Sequence, residues 1–488
     1  MPDRLLSKSK YLNGLQCPRY LWIACNEPAR IPEPDLATQH IFDQGHLVGE
    51  LATKLFPKGI DVPIEDFRGN IAMAKDLLQK RKPLFEAGML SGRTYSRLDI
   101  LNPANEDEWD IIEVKSSTSV KEVNVHDVSF QRLCCEDSGL KTRKCFLAYI
   151  NNQCVKHGEI NPEELITIQD ISDEVADTSE GIQGRIARML EVIDAPACPE
   201  ASIGPHCSSP YGCPLTDCWE GLPEHNVFTL YYGGKKSHEL YRSGILDITL
   251  IPIHYKLSDK QRIQCDCVES GTPYINKDAI RQFLDSVKYP LYYLDFETFS
   301  TAIPLFDGTR PYQNIPFQFS LHVQETPGGE LRHFSFLGEG RHDPRPELLV
   351  SLSQLIGKNG SVIAYNKSFE QNVLVGLSDA FPEYADWAEN VIARFVDLYV
   401  PFRSFYYYHP SQNGSASLKN VLPAITGQGY EGMTIAKGDE ASLAFLRITF
   451  DDLSSEEVES VRDDLLAYCK LDTEGMVRII ERLQELTL

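Results

Sequence analysis

The stretch RLDILNPANEDEWDIIEVK, Arg97 to Lys115, decides how the chain is read. It has the pattern of two strands joined by a polar turn, with acidic side chains placed unevenly along them. Leu98 and Ile100 flank Asp99 at the end of the first strand. Trp109 to Val114 is apolar enough to be buried, yet it carries Glu113 and is followed by Lys115. Side chains two apart in a strand share a face, so Glu113 and Lys115 project together while Val114 points into the opposite layer. Unpaired charges are costly to desolvate, and packing gives no reason for them at the end of a buried strand. A metal site does.

Working outward, LSKSKYLNGLQCPRYLW places Cys17 on a short amphipathic helix with Ser7 or Ser9 as N-cap and an end near Pro18. His40 to Phe56 has a helical period through Ile41, Leu47, Val48, Leu51, Ala52 and Leu55, which leaves His46 and Glu50 one turn apart. That pair is a candidate cation site or a solvated face. After the hairpin, HDVSFQRLCC reads as a helix carrying His126, Asp127 and Gln131, and Lys144 to Asn151 as another strand. The order helix, strand, strand, helix, strand predicts a mixed α/β core with the charged hairpin near its centre.

Composition sets the frame. A chain of 488 residues with 42% hydrophobic content supports two or three packed domains. The N-terminus has no apolar signal core and no run is long enough to span a bilayer, so a cytoplasmic protein without membrane partners is expected. Thirteen cysteines in such a chain argue for thiols rather than a disulfide framework. A formal net charge of −23 weighs against nucleic acid on average, but catalytic cations demand carboxylates and a local basic groove can coexist with an acidic exterior. Lys8, Lys10 and Arg19, and later Lys141, Arg143 and Lys144, are candidate basic patches, with a solvated surface as the plainer reading.

These residues resemble the PD-(D/E)xK nuclease core of the RecB-like type. The resemblance implies that Asp99 and Glu113 hold Mg²⁺ or Mn²⁺, that Lys115 orients or deprotonates the attacking water, and that Gln131 belongs to the site. Gly49 stands where that family has histidine, so Glu50 or His46 is expected to supply the ligand there. Cys135 stands in the position of a family tyrosine. Downstream, GPHCSSPYGCPLTDCW sets Cys207, Cys213 and Cys218 in a looped array that wants a fourth ligand. In iron–sulfur members of the RecB-like group one cysteine before the core joins three after it, and Cys17 matches that lone position. Thiolate ligation suits a [4Fe-4S] cluster or zinc, and the resemblance favours the cluster. Cys25 and Cys198 are spare candidates. Cys134, Cys135, Cys145, Cys154, Cys265, Cys267 and Cys469 read as non-ligands.

A second constellation starts at Tyr289. PLYYLDFETFS is an apolar strand that delivers Asp295 and Glu297 to one face, and QFSLHVQE reads as its hairpin partner. SVIAYNKSFEQNVLVGL is a strand into Asn366 followed by a helix with Glu370 in its first turn. The long C-terminal helix carries Tyr468 and Asp472 four apart, on one face. This set looks like the DEDDy 3′–5′ exonucleases, the DnaQ-like group with a ribonuclease H-like fold. The resemblance assigns Asp295, Glu297 and Asp472 to the metal carboxylates, with Glu370 where the family has aspartate. It assigns Tyr468 to positioning the attacking water.

The expected architecture is therefore an α/β tandem: a PD-(D/E)xK restriction-endonuclease-like domain with an iron–sulfur cluster over residues 1–220, a helical connector over 221–288, and a ribonuclease H-like domain over 289–488. The expected activity is metal-dependent phosphodiester hydrolysis from DNA ends, in repair or defence. RNA processing and a non-catalytic nucleic-acid-binding role are the alternatives.

Overall fold

In the computed structural model, which describes residues 4–488, the chain divides into two compact units, Met1–Glu220 with Thr301–Gln313, and Gly221–Ser300 with Asn314–Leu488. Both are mixed α/β. Among the described residues no helix is long and apolar enough to cross a membrane.

The first unit is a seven-stranded sheet formed by β1 (Leu6–Ser7), β2 (Ile60–Asp61), β3 (Leu84–Ser91), β4 (Thr94–Pro103), β5 (Glu108–Lys115), β6 (Lys141–Ile150) and β7 (Ile166–Asp170), with β1 paired to β4 outside the main order β2-β3-β4-β5-β6-β7. Its helices are α1 (Lys8–Gln16), α2 (Pro18–Asn26), α3 (Leu36–Thr53), α4 (Phe67–Leu77), α5 (Glu122–Asp137), α6 (Pro162–Leu165), α7 (Ser172–Ser179) and α8 (Ile182–Asp194). β4 and β5 form the antiparallel hairpin, while β5 and β6 run parallel. Both faces of β5 are covered: Ile112 joins Val48, Leu51 and Ala52 of α3, and Ile111 joins Val128 and Phe130 of α5. Burial on both sides explains its nearly unbroken apolar run.

One feature of this hairpin departs from simple alternation. Leu98 and Ile100, two apart, fall in opposite cores. Across from them, between the pairs Phe85↔Ile100 and Ala87↔Leu98, Glu86 has a left-handed φ of 56°. A non-glycine residue in that region locally breaks the pleat, here opposite Asp99.

The second unit opens with the short helices α9 (Lys235–Arg242), α10 (Asp259–Ser270) and α11 (Lys277–Leu284) and the strand β8 (Tyr274–Ile275). Its central sheet has the order β11-β10-β9-β12-β13, built from β9 (Leu291–Phe299), β10 (Ile315–Gln324), β11 (Leu331–Leu337), β12 (Ser361–Ala364) and β13 (Phe395–Asp397). β10 is antiparallel to β9 and β11, whereas β9, β12 and β13 run parallel. Around it lie α12 (Arg345–Leu355), α13 (Ser368–Ala380), α14 (Ala385–Ile392), α15 (Val400–Arg403), β14 (Tyr407–Tyr408), α16 (Leu418–Thr426), α17 (Gly438–Phe450) and α18 (Ser455–Thr487). Tyr292, Leu294 and Phe296 pack on the α12 and α13 side, while Leu291 and Tyr293 pack beneath α16 and α18. By the two-residue period, Asp295 and Glu297 therefore face α18.

Residues 221–288 do not stand apart as a connector. β8 pairs with β14, and Tyr231 packs with Phe405 and Tyr408, so this segment is part of the second unit. Conversely, the loop Thr301–Gln313 belongs to the first unit, where the backbone N–H of Ala302 donates to Gln44 and Lys156 pairs with Asp307.

Candidate metal centres

In the first unit the hairpin, α5 and α1 converge on one charged centre. Lys115 Nζ lies 2.5 Å from Glu113 and 2.8 Å from Asp127. Gln131 donates from Nε2 to Glu113 at 2.6 Å and to Asp127 at 3.1 Å, and the backbone N–H of Val114 donates to Asp99 at 2.8 Å. Lys8, at the start of α1, reaches Glu113 at 2.9 Å and Asp99 at 3.6 Å. Glu113 and Asp127 are buried; the side chain of Asp99 keeps 25% exposure, which opens the centre to solvent.

The electrostatics follow from this packing. Burial alone would raise Glu113, but the ammonium groups of Lys115 and Lys8 hold it well below the usual carboxylate range. Asp99 is pushed up to about 7, first by burial and then by the charge of Glu113. Burial disfavours charge on both lysines, but the surrounding carboxylates outweigh it and keep them protonated. Three acids against two ammonium groups leave room for added positive charge, and Gln131 Oε1 has no hydrogen-bond partner among the described residues. The donor set of carboxylate oxygens fits a hard divalent cation.

Asp99, Glu113, Lys115 and Gln131 are thus brought together as the sequence predicts. His46 and Glu50 are not: α3 buries Val48, Leu51 and Ala52, which leaves the His46–Glu50 face exposed and outside the hydrogen-bonded group around Glu113. Lys8 corrects the reading of a solvated basic patch, since its ammonium is committed to the acids. Arg19, Lys144 and Arg143 are likewise paired, with Asp217 at 2.8 Å, Asp170 at 2.6 Å and Asp110 at 2.9 Å, and Lys141 pairs with Asp107. Asp127 escaped the sequence selection although its spacing of four from Gln131 puts both on one helical face.

The cysteines gather at the corner between α1 and α2. Cys17 is buried there, and Gln16 donates to the carbonyl oxygens of His206 and Tyr211, both at 2.8 Å, pinning the downstream loop beside it. The backbone N–H of Cys213 donates to the Cys207 carbonyl. Burial raises the Cys213 thiol, with Cys17 and Cys207 adding to the effect, and Cys218 is pushed up to about 11 by burial, with Asp217 and Cys17 contributing. Yet no three of these sulfurs come within 4.8 Å of one another among the described residues. The expected four-cysteine set shares a neighbourhood, and its sulfurs are not drawn together to the spacing of ligands on a single metal ion.

The second unit assembles four carboxylates from three elements. β9 supplies Asp295 and Glu297, α13 supplies Glu370 and α18 supplies Asp472; all but Asp295 are classed as buried. Ligating atoms of Asp295, Glu297 and Cys469 lie within 4.8 Å of one another. Burial raises Asp295 and Glu297 well above the carboxylate range, and the charge of Asp472 adds to both. Glu370 is pushed up to about 8 by burial, with Asp397 and Asp472 adding, and Asp472 up to about 6 by burial against the opposing effect of Tyr430, Lys419 and Tyr468. Like charges confined together in a dry site call for a counterion. Glu370 Oε2 has no hydrogen-bond partner among the described residues, which leaves a buried acceptor open to a ligand.

Cys469, read from the sequence as a non-ligand, lies within this group. Its Sγ lies 3.5 Å from Asp295 Oδ2, and burial followed by the Asp295 charge raises its thiol well above its ordinary range. A thiol held in the S–H form donates a hydrogen bond rather than ligating. Tyr430, in the loop before α17, also went unselected: its hydroxyl donates to Asp472. No local pattern in the sequence marks it.

A family model described as a domain of unknown function, DUF2779, matches residues 292–417, which include Asp295, Glu297 and Glu370 but stop short of Tyr468 and Asp472. The chain is 28% identical over 213 residues to "Uncharacterized protein MG366" of Mycoplasma genitalium, covering 40% of this chain and 32% of that protein. It is 27% identical over 206 residues to the Mycoplasma pneumoniae homolog, covering 38% and 31%. The chain thus spans about a third of the length of the curated relatives it matches. A solved structure titled "Crystal structure of SSO0001" aligns with 41% of this chain and 89% of its own at 13% identity and a TM-score of 0.21, too low to bear on the fold.

Proposed function

We propose that this chain is a metal-dependent nuclease with two hydrolytic centres, one of the PD-(D/E)xK type around Glu113 and one of the DEDDy, ribonuclease H-like type around Asp295, acting on DNA ends. The observation that carries the proposal is the convergence of Asp295, Glu297, Glu370 and Asp472 with an unpartnered buried oxygen on Glu370. Divalent cations bound by such carboxylates polarise a phosphodiester and lower the pKa of bound water.

The side chains have distinct parts to play. Tyr468 is buried beside Asp472, Glu297 and Asp295, and burial followed by the Asp472 charge raises its hydroxyl far above the ordinary phenol range. It therefore stays protonated at neutral pH and serves to orient the attacking water, not to deprotonate it. Lys419 places its ammonium 5.6 Å from the centroid of the Tyr468 ring, where it tempers the negative charge of the site. In the first centre, the Lys115 ammonium is positioned to offset charge that builds up on the phosphate.

The test is degradation of end-labelled single- and double-stranded DNA and RNA with Mg²⁺ or Mn²⁺ by wild type, Lys115→Ala, Asp295→Ala and the double variant. Each single variant should lose a distinct set of products and the double variant should be inert. If wild type degrades none of the substrates while still binding them, the chain is a nucleic-acid-binding protein and the proposal fails.

The cysteine corner supports a [4Fe-4S] cluster as the staple of the first unit, with Cys17, Cys207, Cys213 and Cys218 as its ligands. Protein purified without oxygen should be brown and should lose that colour in Cys207→Ser. Colourless wild type that instead carries stoichiometric zinc would assign the corner to that metal.

A further inference from the structure

The second unit contains a cavity of about 500 Å³ that the acid centre does not use, lined by Tyr231, Tyr232, Tyr365, Asn366, Tyr399 and the turn 414–418. Its volume lies in the range of small-ligand pockets, roughly 300–1,000 Å³. Four tyrosines from three separate stretches of chain converge on it. Two of them come from the stretch 221–288.

Tyr232 is the exposed member. The residue is 81% exposed and its backbone has a left-handed φ of 47°, a conformation that bulky residues seldom adopt unless their surroundings impose it. Those surroundings are closely packed. Tyr231 stands edge-on to Tyr232 at 4.6 Å between ring centroids and to Phe405 at 4.8 Å, and its hydroxyl donates to the Arg403 carbonyl. The turn is seated just as tightly: a Cβ at Gly414 would lie 1.7 Å from the carbonyl oxygen of Thr229, so only glycine permits this approach. Cations flank the rings, with Arg403 5.5 Å from the centroid of Tyr399 and Lys260 5.6 Å from that of Tyr231.

The cavity borders the acid centre. Asn366 lies two residues before α13, which carries Glu370, and its backbone N–H donates to Asp397, whose charge raises Glu370. Leu418 precedes Lys419, which faces Tyr468. Tyr365 donates to the Ala416 carbonyl at 2.6 Å and lies close enough to Tyr430, the partner of Asp472, to influence its titration.

Resting on the reading of this unit as a nuclease, we infer that the cavity receives a nucleobase of a single-stranded nucleic-acid end, stacked on Tyr232, while the adjoining phosphate enters the carboxylate centre. Aromatic rings beside guanidinium and ammonium groups are the chemistry of sequence-tolerant single-strand binding, since every base has a stacking face. A base paired inside a duplex has no free face to offer, so the cavity selects unpaired ends. Deoxyribose and ribose carry the same bases, and the test has an arm for each.

The experiment uses the full chain with calcium in place of magnesium and short single-stranded oligonucleotides of DNA and of RNA. Each carries the fluorescent base 2-aminopurine either at the 3′ end or at an internal position. Stacking quenches this base, so quenching should appear for the terminal label and be weaker for the internal one. Loss of one base–aromatic stack is expected to weaken binding about tenfold. Tyr232→Ala should therefore lower affinity about tenfold and relieve the quenching, while Tyr232→Phe should keep both, because the ring and not the hydroxyl is at work. Equal affinity and equal quenching in wild type and Tyr232→Ala would overturn the inference. If wild type still hydrolyses oligonucleotides in that case, only the base pocket is lost; if it neither binds nor hydrolyses them, the nuclease reading falls with it.

Discussion

Lys115→Ala is expected to abolish hydrolysis by the first unit and, unusually for a surface-reaching lysine, to destabilise that unit as well. The reason is the balance of charge. Asp99, Glu113 and Asp127 face Lys115 and Lys8, with Glu113 and Asp127 buried. Without Lys115, three carboxylates share the Lys8 ammonium, and Asp127 keeps only its bond from Gln131. Breaking a buried ion pair from one side costs roughly 3–5 kcal/mol, and the 28% exposure of the Lys115 side chain places this case at about the lower end. The rate of hydrolysis should fall about a hundredfold or more, as for other groups aimed at developing charge. Thermal unfolding with and without Mn²⁺ checks the first part, because added cation should restore much of the lost stability. Assays in an Asp295→Ala background check the second. Unchanged cleavage there would remove Lys115 from the chemistry.

Metal-free protein is expected to lose stability in its second unit as pH rises from about 4 to about 8. Burial, with neighbouring charges, pushes Asp472 up to about 6 and Glu370 up to about 8 from ordinary values near 4. Over that window the folded chain holds protons that the unfolded chain has released, so the free energy of unfolding falls with increasing pH. The stability that protonation supplies is fully present below the ordinary carboxylate pKa and gone above the raised one. The combined effect is on the order of 8 kcal/mol. Divalent cations hold the acids ionised and should flatten the slope, so Mn²⁺ should raise the melting temperature far more at pH 8 than at pH 5. Asp295→Asn should reduce the slope without metal, by removing one of the repelling charges. A melting temperature that is flat from pH 5 to pH 8 in chelator would contradict the crowding of these acids.

What could be read from the sequence shares one property: the spacing is short. Glu113 with Lys115 and Asp295 with Glu297 lie two apart on single strands, and Tyr468 with Asp472 four apart on one helix. Backbone geometry alone then puts each pair on one face. The strands that hold them were legible for the same reason, as apolar runs of limited length. The cysteine array was legible as spacing too, but spacing alone does not set how far apart its sulfurs sit.

The remainder depends on contacts between distant stretches. Lys8 lies 105 residues from Glu113. It reaches the acids because β1 pairs with β4, Leu6 opposite Thr94, and Ser7 then caps α1, which sets the first helical turn over Asp99. Tyr430 finds Asp472 from a loop, and the segment 221–288 becomes part of the second unit through the pairing of β8 with β14. The sequence by itself determined the two acidic hairpins, the acid-bearing helices and the chemistry they invite, since periodicity is a local property of the backbone. Only the tertiary structure decided which cations answer those acids, that His46 and Glu50 stay in solvent, and that four tyrosines share one cavity. Long-range strand pairing and burial bring such groups together, and neither leaves a periodic trace in the sequence.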